Sequence, residues 1–269
     1  MNDNEWVVFL QWALPQIRMR WSGFRKVRRQ VCRRIAGRLE ELHLAGPSQY
    51  KAYLENHPEE WERLDSFCRI TISRFYRDKS VFHFLQDVVL RELANEAETN
   101  RLRCWCCGCA AGEEPYSLSL IWHQILKPDF PATDIEIIAT DSFDTMLNRA
   151  LSGRYMKSSV KDLPEEMLRT GFSHQMKWYD LKAVYRDSVH FLKQDVRKKM
   201  PEGPFQLILC RYLVFTYFEE KLQTELLGKL LSRLSPGGAL VFGKIDRLPC
   251  KTEKLVPWSE KEHIYRKVR

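Results

Sequence analysis

After residue 100 the sequence alternates short apolar runs with amphipathic segments, and this alternation constrains the fold more than any other feature. Four runs are typical of buried strands: 102-LRCWCCG-108, 135-IEIIATD-141, 189-VHFLKQD-195 and 205-FQLILCRYLVF-215. Segments with helical periodicity lie between most of them, and GALVFGK and HIYRKV near the end predict two further strands. Strands that alternate with helices of about 10–15 residues favour a parallel α/β sheet.

The first third of the chain has the periodicity of helices instead. Apolar residues recur at helical spacing from Phe24 to Leu42, which predicts one helix with Ser22 as its N-cap and Gly46-Pro47 as its end. Three more helices are predicted, over residues 48–54, 58–69 and 80–93. We therefore expect a helical N-terminal domain over residues 1–95 and an α/β domain over residues 96–269, with a small insert near 155–190.

The ends of the predicted strands carry the residues of a ligand pocket, since ligands of such sheets bind beyond the carboxyl ends of the strands. The first strand leads into Gly108 and then Gly112-Glu113, and later strands end at Asp141 and Asp195. Glycine lets the backbone approach a ligand closely. Asp141 is suited to accept both hydroxyls of a ribose, and Asp195 the exocyclic amine of adenine. The pattern predicts a pocket for an adenosine-type cofactor.

The acidic turn narrows the choice of cofactor. A dinucleotide fingerprint would be G-x-G-x-x-G, whereas Gly108 and Gly112 are here followed by two glutamates, and no Walker lysine is present. Two carboxylates would repel a pyrophosphate. They suit a cationic ligand such as S-adenosylmethionine, which carries a sulfonium and an amino group.

Four of the eight cysteines fall within six positions, at Cys104, Cys106, Cys107 and Cys109. Their spacing is poor for one zinc ion, because alternate strand residues point to opposite faces and no second Cys/His pair follows. We expect buried thiols that pack as small apolar groups, and no metal site. A thiol beside the pocket further predicts that oxidation or alkylation inhibits and that S-adenosylhomocysteine protects.

The stretch GCAAGEEPYSLSL, which begins at Gly108, resembles the first motif of the CheR family, the methyltransferases that esterify chemoreceptor glutamates. Further stretches resemble motifs of that family in the same order: 71-TISRFYRD-78, 138-IATDSFDTMLNRALSGRY-155, GPF at 203–205 and LCR at 209–211. Residues 20–54 are similar to its helical N-terminal domain. The resemblance implies a class I, Rossmann-like methyltransferase sheet, mostly parallel with an antiparallel C-terminal strand, preceded by a small helical domain. It also implies S-adenosylmethionine as cofactor and a carboxylate as methyl acceptor.

The resemblance assigns roles to individual positions. Cofactor contacts are implied for Ser73, Arg77, Cys107, Gly108, Gly112, Glu113, Asp141, Ser142, Asp195, Val196, Cys210 and Arg211. Within this set Arg77 reaches the reaction centre, where it would orient the acceptor carboxylate through a bidentate contact. Tyr76 or Tyr217 would supply a hydroxyl for the same task. A carboxylate with a pKa of about 4 is ionised at neutral pH, so the reaction needs no general base.

The chain departs from the family pattern at three places. Tyr212 stands where the family has asparagine, and the following VFTYF is one residue longer than usual before its tyrosine, so that matching Tyr217 needs a gap. The family's Gly-His-Ser-Glu is Gly243-Lys-Ile-Asp here. The insert is short for the small β-subdomain that tethers some family members to receptor tails. These departures leave the identity of the methyl acceptor open.

Charge and composition bear on the partners. The net charge is +8, and nine Lys/Arg with no acidic residue lie between Arg18 and Arg38. The stretch is typical either of a solvated helix face or of a surface for an acidic partner, which would be an acidic protein segment or a small-molecule acid as methyl acceptor. Nucleic acid is not expected, because no nucleic-acid motif accompanies the basic stretch. A small-molecule methyltransferase and a non-catalytic S-adenosylmethionine-binding module remain alternatives.

The same sequence predicts where the protein acts. No apolar run reaches the roughly 20 residues that span a bilayer, so no membrane span is expected. The first residues lack the basic region and cleavage site of a signal peptide. We expect a cytoplasmic monomer whose cysteines are reduced.

Overall fold

The computed structural model describes residues 3–97 and 99–269 and divides the chain into two compact units. One unit contains the chain up to Ile70 together with Val214–Thr224, and the other contains Thr71–Leu213 with Glu225–Arg269. We call them the helical unit and the sheet unit. The division into domains at residue 95 stays a prediction.

Helices occupy much of the described chain. The α-helices are α1 (Asp3–Gln16), α2 (Trp21–Phe24), α3 (Arg28–Glu41), α4 (Pro47–Asn56), α5 (Glu60–Phe67), α6 (Lys79–Phe84), α7 (Leu90–Asn95), α8 (Glu113–Ile121), α9 (Asp144–Ser152), α10 (Lys157–Val160), α11 (Glu165–Gly171), α12 (Val214–Tyr217) and α13 (Glu220–Arg233). Short π-helical turns follow α6 at Leu85–Val89 and α8 at Trp122–Leu126, and a 3₁₀ turn lies at Ala183–Tyr185. In the described part of the chain no helix combines the length and apolar character needed to cross a bilayer.

The helix predicted from Ser22 is wrong at both ends, although its apolar face is buried. The chain forms the single turn α2 and begins α3 only at Arg28, so Ser22 lies inside α2 and does not cap a helix. Inside α2, just before the break, the backbone lies in close contact with another segment of the helical unit. A Cβ at Gly23 would lie 2.2 Å from the carbonyl oxygen of Thr216. At the other end α3 stops at Glu41, and Pro47 is the first residue of α4.

The main sheet has seven strands in the order β6-β2-β1-β7-β8-β10-β9. Its strands are β1 (Arg101–Cys107), β2 (Asp134–Asp141), β6 (Val189–Lys193), β7 (Phe205–Leu209), β8 (Leu234–Val241), β9 (Leu255–Ser259) and β10 (Ile264–Lys267). The first five in spatial order are parallel, and β10 pairs antiparallel with both β8 and β9. The predicted α/β, Rossmann-like fold with an antiparallel C-terminal strand is confirmed, whereas β9 was not predicted.

The strand predicted over 205–215 is wrong beyond Leu209. Tyr212 adopts a left-handed backbone conformation with φ 55°, which no strand continues through. The chain therefore leaves the sheet after β7, and Val214–Tyr217 forms the short helix α12. An apolar run could not distinguish a strand from a buried helical turn here, because both bury every residue.

The insert forms a small sheet of its own. Its strands are β3 (Arg154–Met156), β4 (Phe172–Gln175) and β5 (Trp178–Leu181), arranged antiparallel in the order β3-β5-β4. The expectation that the insert is too short for a small β-subdomain is therefore wrong. Three strands of three or four residues are enough to build one.

The cysteines of β1 pack as the strand pattern predicts. Cys104 and Cys106 belong to the apolar core on one face of the sheet. On the other face the indole of Trp105 donates a hydrogen bond to the hydroxyl of Thr140 at 2.9 Å. All four cysteines at 104–109 are buried free thiols. Across residues 3–97 and 99–269, no cluster of His, Cys, Asp and Glu is arranged to hold a metal ion.

Candidate active site

The carboxyl ends of β1, β2 and β6 meet at one edge of the main sheet, because the three strands are parallel neighbours. Cys107 pairs with Thr140, and Asp141 pairs with Lys193. Beyond the strands, the N–H groups of Gly108 and Cys109 donate to the carbonyl of Thr140 at 2.8 and 3.0 Å. The predicted pocket residues that follow these strands are therefore brought to the same edge.

The turn after β1 requires glycine at two positions. Gly108 and Gly112 both have left-handed backbones, with φ 79° and 86°. A Cβ at Gly108 would lie 2.7 Å from the Cδ2 of Leu213, and one at Gly112 would lie 2.9 Å from the Cβ of Ala150. The two glycines let the chain turn tightly between β1 and α8.

Asp141 links this turn to the end of β2. Its Oδ2 accepts the N–H of Ala110 at 2.9 Å and its Oδ1 accepts the N–H of Phe143 at 3.0 Å. Ala110 is itself strained, with φ 47°. The carboxylate predicted to hold a ribose is thus also the group that fixes the turn, and Ser142 lies between Asp141 and Phe143 in the chain.

Glu113 is the first residue of α8 and is only 2% exposed. Ser73 and Ser159 donate hydrogen bonds to its carboxylate, Ser159 to Oε1 at 3.4 Å. Its Oε2 is buried and has no hydrogen-bond partner among the described residues. Burial raises the pKa of Glu113, although these donors oppose the shift. A buried acceptor oxygen without a donor fits a bound ammonium group, as the predicted cofactor would provide.

A buried ion cluster lies beside Glu113. Arg211, whose side chain is 1% exposed, donates through Nη1 to Glu114 Oε2 at 2.8 Å and through Nη2 to Asp78 Oδ2 at 2.6 Å. Its Nη2 also contacts the backbone carbonyl of Arg77 at 2.8 Å. Burial raises the pKa of Glu114, and the charge of Arg211 opposes this shift. Arg211 therefore joins the segment at 77–78 to the start of α8.

Arg77 lies on the ring of Tyr212. Its guanidinium carbon is 3.6 Å from the ring centroid, and its Nη1 donates to the carbonyl of Ile72 at 2.8 Å. The hydroxyl of Tyr212 donates to Asp78. Burial and this hydrogen bond raise the pKa of Tyr212, so its hydroxyl stays protonated at neutral pH. The arginine predicted to act at the reaction centre is held in a defined plane.

Further predicted residues lie at the same sheet edge. Cys107 shares a thiol hydrogen bond with Cys210, and this bond and burial raise the pKa of Cys107. Asp195 pairs with Arg197, whose Nη2 is 2.6 Å from its Oδ2. Val196 beside it is buried. Asp195, the carboxylate predicted to accept the adenine amine, is therefore already paired with a cationic side chain of this protein.

The two predicted tyrosines belong to different units of the chain. Tyr76 is fully buried in the core of the sheet unit, stacked on Phe82, and its hydroxyl has no partner among the described residues. Tyr217 belongs to the helical unit, where its ring packs 4.9 Å from that of Phe24. Their catalytic roles stay predictions.

Three parts of this region were not predicted: Asp78, Asp246 and the role of the Tyr212 ring. Glu114, one of the two glutamates expected to face a cationic ligand, pairs with Arg211 instead. Asp246 is buried, and its Oδ2 accepts the N–H groups of Tyr212 and Gly243 at 2.9 and 2.8 Å. Asp246 is the last residue of Gly243-Lys-Ile-Asp, a segment that departs from the family pattern. That departure is the sequence signal that could have identified it.

The family model for the CheR methyltransferase, SAM binding domain, matches residues 71–264. A chemotaxis protein methyltransferase of Listeria monocytogenes is 30% identical over 183 residues, which is 68% of this chain and 68% of that protein. Chemotaxis protein methyltransferase 2 of Vibrio cholerae is 29% identical over 81% of this chain and 77% of that protein.

Among solved structures, the N-methyltransferase NodS from Bradyrhizobium japonicum in complex with S-adenosyl-l-homocysteine is similar with a TM-score of 0.39. It is 15% identical and covers 71% of this chain and 90% of its own.

Proposed function

We propose that this chain, which belongs to the CheR methyltransferase family and is an S-adenosylmethionine-dependent methyltransferase, methylates the side-chain carboxylate of glutamate in a protein. The relatives are named chemotaxis protein methyltransferases, which supports a chemoreceptor as acceptor, and we propose the cytoplasm as the place of action. Membership of the family accounts for the fold and the cofactor. The choice of a carboxylate as methyl acceptor rests on this chain's own residues.

The proposal rests on the contacts of the Arg77 guanidinium group. Its face is covered by Tyr212, and Nη1 donates to Ile72. Those are the guanidinium contacts found among the described residues, so N–H donors in the plane of the group remain for an anion. An arginine fork matches the two oxygens of a carboxylate. We assign Arg77 to hold the acceptor carboxylate in line for transfer.

The cofactor supplies the methyl group and its own leaving group, so the protein acts by alignment. Glu113 would accept the amino group of the cofactor through its unpartnered oxygen, with Ser73 orienting the carboxylate. Asp141 would hold the ribose, and Asp195 and Val196 the adenine. Gly108, Gly112, Cys107, Ser142, Cys210 and Arg211 would shape the rest of the pocket.

Four cations support an acidic protein as partner. Within the basic stretch, Arg18, Arg20, Arg28, Arg34 and Arg38 are bound to carboxylates or carbonyls of the helical unit. The remaining four, Arg25, Lys26, Arg29 and Arg33, are exposed, and the described residues offer them no ion pair. Arg29 and Arg33 are four residues apart on one face of α3. These cations would steer an acidic segment to the protein.

The test is methyl transfer from radiolabelled S-adenosylmethionine to a purified chemoreceptor cytoplasmic fragment. We expect base-labile methyl groups on the fragment and none on the same fragment with glutamine at its methyl-accepting glutamates. Base-stable methyl groups would exclude a carboxyl ester. Binding of S-adenosylhomocysteine in calorimetry without transfer to this fragment would instead favour another acceptor or a non-catalytic binding module.

Arg77→Ala separates acceptor binding from cofactor binding. We expect it to retain most S-adenosylhomocysteine affinity and to lose transfer to the fragment. The matched control is Arg91→Ala, because Arg91 makes an exposed ion pair with Asp129 at 2.7 Å. It should transfer methyl groups at the wild-type rate.

A further inference from the structure

Tyr212 is held from its backbone and from its hydroxyl. Its backbone is left-handed, and its N–H donates to Asp246 Oδ2 at 2.9 Å. The hydroxyl donates to Asp78 and accepts the N–H of Lys244 at 3.2 Å. A non-glycine residue with positive φ persists only where its surroundings impose it. The position of this ring is therefore set by two segments of the sheet unit, the loop at 243–246 and the segment that contains Asp78.

The loop at 243–246 is shaped around the same ring. A Cβ at Gly243 would lie 2.9 Å from both Cδ1 and Cε1 of Tyr212. Asp246 Oδ2 joins the two residues by accepting both of their N–H groups. Tyr212 and Gly243-Lys-Ile-Asp, which both depart from the family pattern, thus form one packed structure.

Arg77 depends on this structure for its orientation. A guanidinium whose carbon lies 3.6 Å from the ring centroid is attracted by the face of the ring. Its Nη1 is fixed to the carbonyl of Ile72, which restrains rotation in the plane. An arginine side chain without such a support would sample several rotamers and would lose more entropy on binding an anion.

We infer that Tyr212 is a positioning residue, whose ring holds the Arg77 guanidinium with its remaining N–H groups directed at the acceptor carboxylate. This role rests on the proposed function of Arg77. Tyr212 itself touches neither acceptor nor cofactor in this role. Its effect should therefore appear in the binding of the acceptor and not in the binding of S-adenosylhomocysteine.

The test compares Tyr212→Phe with Tyr212→Leu. Both variants lose the hydroxyl and its bond to Asp78, and only the phenylalanine keeps an aromatic face. We expect the acceptor KM of Tyr212→Phe to stay within about twofold of wild type and that of Tyr212→Leu to rise about three- to thirtyfold. The affinity for S-adenosylhomocysteine should be equal in all three proteins. Equal KM values in the two variants would overturn the inference.

A second measurement does not depend on methyl transfer. The ¹⁵N-labelled Nε–H signal of Arg77, identified by its loss in Arg77→Lys, should show the ring-current shift of a proton near an aromatic face. Tyr212→Phe should keep this shift and Tyr212→Leu should lose it. An unchanged signal in Tyr212→Leu would overturn the inference. Failure of wild-type transfer with the expected signal would instead count against the proposed acceptor alone.

Discussion

Arg211 and Glu114 form an ion pair inside the sheet unit, with Nη1 2.8 Å from Oε2 and the arginine side chain 1% exposed. Arg211 is the common partner of Glu114 and Asp78, since its second terminal nitrogen contacts the latter at 2.6 Å. One buried cation therefore compensates two carboxylates. Removing it leaves Glu114 and Asp78, whose side chains are only 14% and 19% exposed, without their common cation.

Replacement of Arg211 by alanine should accordingly lower the free energy of unfolding by about 3–5 kcal/mol. Urea denaturation followed by circular dichroism would measure the loss. Arg169→Ala is the matched control, because its pair with Glu166 is exposed on both sides. Its denaturation midpoint should stay near wild type, and an equally small effect in Arg211→Ala would contradict the account of this cluster.

Glu113 predicts a pH dependence of cofactor binding. Its pKa is raised above the ordinary 4.5, chiefly by burial. As pH falls through the raised pKa, the carboxyl gains a proton and can no longer attract an ammonium group, so affinity for S-adenosylhomocysteine should fall. Calorimetry between pH 4.5 and 8 would measure this, and Glu113→Gln should bind weakly with a flatter profile. The same slope in both proteins would assign the titration to another group.

The raised pKa of Glu113 also has a consequence for the free protein. Because the folded state binds this proton more tightly than the unfolded state, the contribution of Glu113 to the free energy of unfolding falls as pH rises from 4.5 through the raised pKa. Glu113→Gln should remove this part of the pH dependence of stability.

Asp141→Ala should abolish cofactor binding. The substitution removes the acceptor proposed for the ribose and also frees the N–H groups of Ala110 and Phe143, which the carboxylate binds at 2.9 and 3.0 Å. We expect S-adenosylhomocysteine affinity to fall at least about a hundredfold, because hydrogen bonds to charged groups contribute about 1.5–3 kcal/mol each. Calorimetry measures the loss. Unchanged affinity in a folded variant would overturn the assignment of this pocket.

Gly243→Ala should disturb the packing of Tyr212. The new methyl group would lie 2.8 Å from Asp246 Oδ2 and 2.9 Å from the Tyr212 ring. We expect a loss of about 1–3 kcal/mol in the free energy of unfolding, typical of overpacking. Gly228→Ala in α13 is the matched control, because no atom lies within 4 Å of its Cβ position. Alanine there should stabilise by about 0.5–1 kcal/mol, since helical glycine is unfavourable. Thermal denaturation of both variants measures the contrast.

The structure predicts which thiols react. Burial raises the pKa of Cys104, Cys106 and Cys109, so little thiolate forms at neutral pH, whereas Cys250 is exposed. Iodoacetamide should label Cys250 in the native protein and spare these three, as mass spectrometry of peptides would show. Rapid labelling at Cys104–Cys109 would mean that the strand opens in solution. Protection of these thiols from alkylation by S-adenosylhomocysteine would then have to be measured under conditions in which the strand opens slowly.

Sequence patterns predicted the sheet because each parallel strand is a short apolar run that ends in a recognisable residue. Gly108, Gly112 and Asp141 mark the ends of strands that hydrogen bonding forces together, so their meeting at one edge follows from topology. The partners of Arg211 could not be predicted in this way. Asp78, Glu114 and Arg211 are far apart in the chain, and no periodicity relates them.

The conformation of Tyr212 could not be predicted from the sequence either. The residues around it have the pattern of a continuing strand, because an apolar run does not indicate whether a residue adopts a left-handed backbone. The left-handed residue, the ring beneath Arg77 and the acceptor Asp246 become visible only when the tertiary contacts are known. The departures from the family pattern marked these positions as unusual, but they did not predict how the residues contact each other.

The helical unit is assembled from two separate pieces of the chain. Arg20 donates to the carbonyls of Phe215 and Thr216, and Met19 bridges to Phe218. A chimaera that exchanges only the first 70 residues with a relative would therefore combine one protein's helices with another protein's 214–224 segment. An exchange of the helical unit, by engineering or by recombination, therefore has to transfer both pieces together or repack the contacts between them.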